Sequence, residues 1–340
     1  MSSPVESAAP DGVAAADVGC VIPHKVEICK TDEHIRVNIL VDTLGELEVR
    51  RLKYHQLAKD NLKRWKAERA MKRSNPTDEG KNCIIKVVAG DWGDVALQET
   101  KKYGQTFACL NMANATFPGG GYTEGMIAQE ENMYRRTDCH FSLDRSLLQL
   151  RKLPSSTSRD WVYNSEMTDL LNAKNGLVYL DTHLPRVCIR GAETRIKRPV
   201  GEEHLGYDWL PEHDVFPFYE LRAAAVDLRG KKKKKFSFDE AMHRVCAQLD
   251  TLIKKEVRYV VLSAFGCGAF LNPADKVAEA YREALKDRVQ HFDVITFAVF
   301  YPGYGADNYA PFARVFAEPQ ATKCYEGVDD GAPAKRPRRG

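Results

Sequence analysis

The residues best suited to chemistry stand in one stretch, residues 118–136, which reads PGGGYTEGMIAQEENMYRR. Its three consecutive glycines favour neither helix nor strand. The adjacent carboxylates Glu130 and Glu131 follow, and such a pair can divide proton transfer and hydroxyl binding between its members. Two other interpretations stay open: a plain tight turn at the glycines, and a solvated Glu–Glu pair stabilised by the helix dipole.

The neighbouring sequence predicts how this stretch is positioned. TFACLNM has the pattern of a buried strand over residues 106–112 and runs directly towards the glycines, and residues 126–136 have a helical pattern. Glycines between a strand and a helix let a ligand approach the backbone, and the helix N-terminus favours an anion. The stretch is neither a Walker loop nor a Rossmann fingerprint, because GK[ST] and GxGxxG are both absent.

A second glycine turn, SAFGCGAFLNP at residues 263–273, also lies between a buried strand (YVVL) and a helix (KVAEAYREAL). In open α/β sheets ligands bind outside the carboxyl ends of the strands. We therefore expect one turn to hold a ribose and the other a diphosphate. Phe270 is predicted either to stack on a ring or close the pocket, or to be an ordinary core aromatic.

Strands and helices alternate along the chain, which predicts an α/β fold with helices on both faces of the sheet. Two apolar runs in residues 25–42 are predicted as edge strands, and residues 44–72 as a helix rich in Lys and Arg. Residues 141–152 also have a helical pattern. Residues 191–219, with several prolines and aromatics, are predicted to be irregular.

The chain has 340 residues with 44% hydrophobic content and a net charge of +3, enough apolar material for one large domain and too little charge to select a nucleic-acid partner. Nine scattered cysteines without a CxxC favour reduced thiols in a nuclear or cytoplasmic, intracellular location. We expect no signal peptide and no membrane span. Residues 1–24 and 318–340 are predicted to be disordered.

Two basic clusters have several interpretations. The run from Lys231 to Lys235 is predicted to be a solubilising loop, a weak polyanion contact or a targeting signal. The tail KRPRRG suits nuclear import or a nucleic-acid contact. The adjacent Cys139 and His140 lack the partner spacing of a zinc site, so no metal is predicted.

The order Asn111-Met112-Ala113-Asn114, then Gly119, Gly120 and Gly121, then seven residues, then Gln129-Glu130-Glu131 resembles the GGG-x(6–8)-QEE signature of poly(ADP-ribose) glycohydrolases, in particular the microbial-type branch. SAFGCGAFLNP is similar to the diphosphate-binding loop of that family. The resemblance spans roughly residues 40–317. It implies a three-layer α/β/α macrodomain-like fold with a mixed, mostly parallel sheet, one domain over residues 25–317 that includes the N-terminal helix, and no cofactor.

The resemblance also implies a role for each matching residue. Glu131 would be the catalytic acid/base, and Glu130 would hold ribose hydroxyls beside the scissile bond. Gln129 would fix the loop, and Asn114 would bind the terminal ribose, against which Phe270 packs. The residues implied to wrap ribose and diphosphate are Gly119, Gly120, Gly121, Gly266, Cys267, Gly268 and Ala269.

The function implied is hydrolysis of ribose–ribose O-glycosidic bonds in poly(ADP-ribose), with the polymer or ADP-ribosylated proteins as partners. An acid must protonate the leaving oxygen and then take a proton from water, and one carboxyl group can do both in turn. Two alternatives remain: a hydrolase of mono-ADP-ribosyl-protein linkages, and a macrodomain that binds ADP-ribose without cleaving it. Oligomeric state is not predicted.

Overall fold

A computed structural model of the chain describes residues 24–27, 31–72, 83–150, 161–197, 203–229, 235–301 and 306–317. The disorder predicted at both ends falls outside these ranges, except at the exposed His24. The lysine run lies outside them too, except for the exposed Lys235.

Most strands of the described chain belong to one sheet with the order β1-β11-β10-β2-β9-β5, in which β6 also pairs with β9. The neighbours from β1 to β9 are parallel, whereas β5 and β6 are antiparallel to β9. The bounds of the sheet strands are β1 Ile84–Ala89, β2 Phe107–Met112, β5 Tyr179–Leu180, β6 Arg186–Cys188, β9 Phe216–Ala223, β10 Tyr259–Leu262 and β11 Val294–Val299. Two short antiparallel ladders lie outside the sheet: β3 Leu148–Leu150 with β4 Trp161–Tyr163, and β7 Glu193–Lys197 with β8 Glu203–Gly206.

Helices cover both faces of the sheet. Their bounds are α1 Asp32–Lys72, α2 Trp92–Tyr103, α3 Gln129–Arg136, α4 Ser165–Leu171, α5 Phe238–Lys254, α6 Ala274–Leu285 and α7 Tyr309–Ala317. One core cluster joins α5, α6 and α7 to one face of the sheet. A second cluster joins α1, α2 and α3 to the opposite face. The predicted arrangement of a mostly parallel central sheet between helical layers is confirmed.

Burial on both faces explains why the central strands are continuously apolar. Every residue of β11 (VITFAV) is buried, and so are the first five residues of β2 (FACLN). Parallel strands with helices on both sides have this composition. None of the described helices is both long and apolar enough to cross a membrane.

Three local predictions were wrong. Residues 32–42 belong to α1 rather than to edge strands, because Val37, Leu40 and Leu44 lie on one helical face and are buried. In the stretch 141–152, predicted as a helix, the described residues 141–150 contain 3₁₀ turns and β3. In the stretch 191–219, predicted to be irregular, the described residues 191–197 and 203–219 contain β7, β8 and the start of β9.

Helix α2 is tied to α3 by a buried ion pair. Asp91 caps α2, since its Oδ1 accepts from the N–H of Gly93 at 2.8 Å, and the same oxygen accepts from Nη1 of Arg136 at 2.5 Å. The Arg136 side chain is 1% exposed. Burial alone would lower the pKa of Arg136, but Asp91 opposes that and the pKa is raised above its usual value.

We predict that Asp91→Ala lowers the free energy of unfolding by about 3–5 kcal/mol, because it removes the cap and the nearer anion of a buried guanidinium, which keeps Asp94 at 3.4 Å. Asp91→Asn keeps a cap acceptor and is expected to cost less. Urea unfolding of both variants measures the difference. A loss under about 1 kcal/mol for Asp91→Ala would contradict the importance of this pair.

Candidate active site

Three loops meet at the carboxyl edge of the sheet. Residues 113–128 follow β2, residues 224–229 follow β9, and residues 263–273 follow β10. Because β2 lies between β9 and β10 in the sheet, these loops are neighbours although they are far apart in sequence. We call residues 113–128 the first loop and residues 263–273 the second loop.

The glycines of the first loop direct their N–H groups to acceptors within the protein. Gly119 N donates to Oε1 of Glu130 at 3.2 Å, and Gly121 N donates to Oε1 of Glu131 at 2.9 Å. Gly120 N donates to the carbonyl oxygen of Phe117 at 3.0 Å. The amides of the three glycines thus orient two carboxyl groups and close a turn, and are not left over for an anion.

Glu130 is enclosed by the first loop. It is 3% exposed, and its Oε2 accepts a second backbone bond, from Asn114 N at 2.7 Å. Burial, followed by the neighbouring Glu131 carboxylate, holds the pKa of Glu130 well above its usual value, whereas the Asn114 N–H bond acts in the opposite direction. Glu130 therefore retains a proton to higher pH than an exposed glutamate.

Glu131 lies in the first turn of α3, as Glu130 does, but on the side of the turn that is exposed to solvent. Its side chain is partly exposed, and one oxygen is held by Gly121 N. The other oxygen, Oε2, makes no hydrogen bond to any residue that the structure describes. One carboxyl group of the pair is thus enclosed by the loop, and the other keeps an oxygen available to a ligand.

Gln129 and Asn114 fix the position of α3 and the shape of the first loop. Oε1 of Gln129 accepts from Met112 N at 2.9 Å, and its Nε2 donates to the carbonyl oxygen of Leu110 at 2.9 Å. The start of α3 is therefore fixed to the end of β2. Oδ1 of Asn114 accepts from the backbone of Thr116 and Phe117, which shapes the first loop. Contact between Asn114 and a ribose stays a prediction.

Two glycines of the first loop are required by their conformation and by close contacts. Gly119 and Gly120 have φ values of 71° and 61°. A Cβ on Gly120 would lie 2.3 Å from Oε1 of Glu131, and one on Gly119 would lie 2.6 Å from the ring of Tyr122. Any side chain here would displace the carboxylate or the ring, so glycine is needed at both positions.

A buried aromatic cluster supports the first loop from below. Tyr122 and Tyr134 pack with ring centroids 4.8 Å apart, and the Tyr122 hydroxyl is 2.8 Å from Nδ1 of His140. Burial lowers the pKa of His140 to about 4, so the ring is neutral near pH 7. Among the described residues no group of three or more His, Cys, Asp or Glu side chains is arranged to hold a metal ion.

A buried ion pair lies on β9 beside β2. Arg222 donates from Nε and Nη2 to the two oxygens of Glu220 at 2.7 and 2.8 Å, and Asn111 Nδ2 donates to the same carboxylate at 2.7 Å. Burial alone would raise the pKa of Glu220, but Arg222 brings it below its usual value. Sequence reasoning missed this pair. Its signal is ELR inside an apolar strand, where residues two apart share a face.

The second loop differs from the first in leaving amides free. Gly266 has a φ of 72°, and Asn272 N donates to its carbonyl oxygen at 3.0 Å. Within the described residues, the N–H groups of Gly268, Ala269 and Phe270 donate no hydrogen bond. Gly268 and Ala269 are exposed, and a Cβ on Gly268 would meet nothing within 4 Å. Cys267 is buried, and burial raises the pKa of its thiol.

The segment after β9 is hydrogen-bonded to the second loop. Asn272 Nδ2 donates to the carbonyl oxygen of Val226 at 2.9 Å, and Leu228 N donates to that of Phe270 at 3.1 Å. The loops thus present two different sets of groups along one edge. The first loop holds the carboxyl groups of Glu130 and Glu131, and the second loop has backbone N–H groups without an acceptor among the described residues, which suit an anion.

The comparisons with solved structures define the class of fold. The poly(ADP-ribose) glycohydrolase of Thermomonospora curvata matches over 83% of this chain and 99% of its own, with 20% identity and a TM-score of 0.53. The same enzyme bound to the inhibitor ADP-HPD matches with the same coverage and identity and a TM-score of 0.51. This α/β chain therefore has the fold of those structures.

The family comparison is more specific. Residues 43–167 match the family described as microbial-type PARG, catalytic domain. The resemblance inferred from the sequence is confirmed, and the matched segment contains Asn114, the three glycines and Gln129-Glu130-Glu131. The second loop lies outside it. The comparison with curated proteins gives no match.

We predict a stability loss on acidification that depends on His140. Its pKa is about 4 in the folded protein, whereas an unfolded histidine titrates near 6.5, so the unfolded chain binds more protons between these values. Stability is therefore lost as pH falls through this window, by about 2 kcal/mol between about pH 7.5 and about pH 5. Urea unfolding at both pH values, for wild type and His140→Gln, measures this contribution.

The exposed His183 provides the control. His183→Gln removes a histidine without changing the cluster below the loop, so it is expected to keep the wild-type pH dependence. If His140→Gln loses as much stability on acidification as His183→Gln does, the neutral buried ring is not responsible.

Proposed function

We propose that the chain is a poly(ADP-ribose) glycohydrolase, which hydrolyses ribose–ribose O-glycosidic bonds and releases ADP-ribose. The observation that carries this proposal is the pair of carboxyl groups held by the glycine loop, Glu130 through Gly119 N and Glu131 through Gly121 N. A module that only reads ADP-ribose has no need of such a pair. The family match over residues 43–167 and the shared fold point the same way.

The geometry favours Glu131 as the group that transfers the proton. A general acid must reach the leaving oxygen, so geometry is considered before pKa. Glu130 has the raised pKa, but both of its oxygens accept backbone bonds and the side chain is buried. Glu131 is partly exposed, and its Oε2 has no hydrogen-bond partner among the described residues. In this proposal Glu131 protonates the leaving oxygen and then deprotonates the attacking water.

Glu130 is then left with a positioning role. Held between Asn114 N and Gly119 N, it can present only the outer edge of its carboxyl group to ribose hydroxyls. A carboxyl group that keeps its proton can donate a hydrogen bond as well as accept one, which suits a hydroxyl partner.

The second loop supplies the anion site. Its free N–H groups at Gly268, Ala269 and Phe270 face no acceptor in the described chain and suit the diphosphate of ADP-ribose. A diphosphate held there lies next to the developing oxocarbenium charge and stabilises it. In this proposal Phe270, at the end of these amides, packs against the ribose. The first loop then shapes the ribose side of the cleft.

We predict that Glu131→Gln slows release of ADP-ribose from labelled polymer by about 10²–10⁴-fold, because the amide cannot transfer the proton. Gln Oε1 can still accept from Gly121 N, so the loop is maintained. Calorimetry is therefore expected to give an ADP-ribose Kd within about threefold of wild type. Glu166 is the control, an exposed glutamate in the first turn of α4.

Glu166→Gln is expected to digest polymer at the wild-type rate. Wild type that binds ADP-ribose but leaves polymer intact would reject the glycohydrolase proposal. Release from mono-modified protein would then favour the alternative hydrolase, and no release from either substrate would favour a reader. Full activity in Glu131→Gln would move the acid role to another residue.

We predict that Gly120→Ala lowers the hydrolysis rate at least about tenfold. The new methyl group would overlap Oε1 of Glu131, and a left-handed alanine costs about 1–2 kcal/mol. Displacement of the carboxylate should reduce kcat more than it raises KM. Steady-state kinetics on polymer, together with thermal unfolding, separates lost activity from lost folding.

Gly45 is the matched control. It lies exposed on α1, and an added Cβ would meet nothing within 4 Å. Gly45→Ala is expected to raise stability by about 0.5–1 kcal/mol and to leave the rate unchanged. A folded Gly120→Ala protein with the wild-type kcat would show that the glycine is not needed to place Glu131.

A further inference from the structure

A cation stands beside the carboxylates in the segment after β9. Arg229 lies with its guanidinium carbon 4.8 Å from the centroid of the Phe270 ring. The hydrogen bond to Asp227 raises the pKa of Arg229, burial partly opposes this, and the Glu131 carboxylate contributes to the increase. Arg229 therefore interacts electrostatically with Glu131. It also joins the segment after β9 to the second loop through Phe270.

The Arg229 side chain is held in a fixed direction. Nε and Nη2 donate to the two oxygens of Asp227 at 2.9 and 2.8 Å, and the Arg229 N–H donates to the same carboxylate at 3.0 Å. The guanidinium carbon also lies over the Phe270 ring. Nη1 makes no hydrogen bond in the described part of the chain. The side chain is 49% exposed, so this remaining edge of the fork is accessible.

Charge explains what this edge can bind. A planar guanidinium with free N–H donors suits phosphate oxygens, and stacking on an aromatic ring lowers the entropy lost on binding. The proposed substrate is a polymer of ADP-ribose units, each with a diphosphate. The Arg222 guanidinium is already paired with Glu220 and fully buried, so it cannot provide this contact.

We propose that Arg229 binds a phosphate group of the polymer beside the ribose at Glu131, with Asp227 and Phe270 holding its guanidinium in place. This inference rests on the proposed function. The phosphate belongs either to the ADP-ribose unit in the cleft or to the neighbouring unit of the polymer. Arg229 is thus a substrate-binding residue, separate from the backbone amides of the second loop.

The chain provides a closely matched control in Arg258. Arg258 donates from Nε and Nη2 to the two oxygens of Asp293 at 3.0 and 2.7 Å, and it is also 49% exposed. It precedes β10 and so lies at the opposite end of that strand from the second loop. Arg258→Gln and Arg229→Gln remove the same charge from the same kind of pair.

The test measures the ADP-ribose Kd by calorimetry and the polymer KM from release rates, at about 0.05 M and about 0.5 M salt. We expect Arg229→Gln to weaken ADP-ribose binding, polymer binding or both by about tenfold at low salt, and by less at high salt, where charges are screened. Arg258→Gln should match wild type. Arg229→Lys should recover part of the loss, because it restores the charge without the fork.

The two substrates distinguish the source of the phosphate. Weaker binding of both places it in the bound unit, and a raised polymer KM with an unchanged ADP-ribose Kd places it in the neighbouring unit. A loss of equal size at both salt concentrations would overturn the inference, since it would mean that Arg229 only supports Phe270. So would an Arg229→Gln protein indistinguishable from Arg258→Gln.

Failure of the proposed function has a different result. If wild type neither binds ADP-ribose nor digests polymer, the proposed function fails and the inference fails with it. If wild type does both and Arg229→Gln is unaffected, the glycohydrolase proposal stands and only the inference about Arg229 is overturned.

Discussion

The hydrogen bonds from backbone N–H groups to the carboxyl groups of Glu130 and Glu131 are the interactions on which the site depends. The donors are backbone groups and not side chains. The first loop must therefore turn back towards α3 to bring its N–H groups to the two carboxyl groups. Gly119 and Gly120 make that turn possible through positive φ values. Gln129 sets the distance by joining α3 to the end of β2. The buried cluster of Tyr122, Tyr134 and His140 packs beneath the loop and supports it.

The same bonds create an electrostatic asymmetry within the pair. Adjacent residues on a helix point about 100° apart, so the two glutamates meet different surroundings. One is desolvated and held on both oxygens, and the other keeps contact with solvent. An enzyme that needs one carboxyl group to move a proton and one to hold hydroxyls gains that difference from backbone geometry alone. The proposed anion site is the second loop, where the N–H groups of Gly268, Ala269 and Phe270 have no acceptor among the described residues.

Much of this architecture is predictable from the sequence, for identifiable reasons. Strands such as β11 are buried on both sides, so their apolar runs have few alternative interpretations. Helix α2 was not predicted, and its buried face includes the charged Glu99, which pairs with Lys86. The β7–β8 hairpin was missed because its pairing contains an irregularity between Glu193 and Ile196, which breaks strand alternation.

The site also has residues that the sequence reveals and residues that it does not. The carboxyl pair and both glycine turns stand in short stretches whose residue types indicate a ligand. Arg229 has only its partner Asp227 nearby in sequence, and Phe270 and Glu131 reach it through the order of strands. Side chains that become neighbours only through sheet topology leave no local pattern. The prediction that residues 191–219 are irregular failed for a related reason, because β9 is identified as a strand by its pairing with neighbouring strands of the sheet.

The order of strands has a consequence for how the protein can be divided. The family-matched segment, residues 43–167, contains β1 and β2 of the central sheet, yet these strands are not neighbours. β1 pairs with β11, and β2 pairs with β9 and β10, all of which come later in the chain. A fragment that ends near residue 167 would therefore carry both glutamates but no paired strand of that sheet. The proposed catalytic motif is contiguous in sequence, whereas its scaffold is completed only when the C-terminal half has folded.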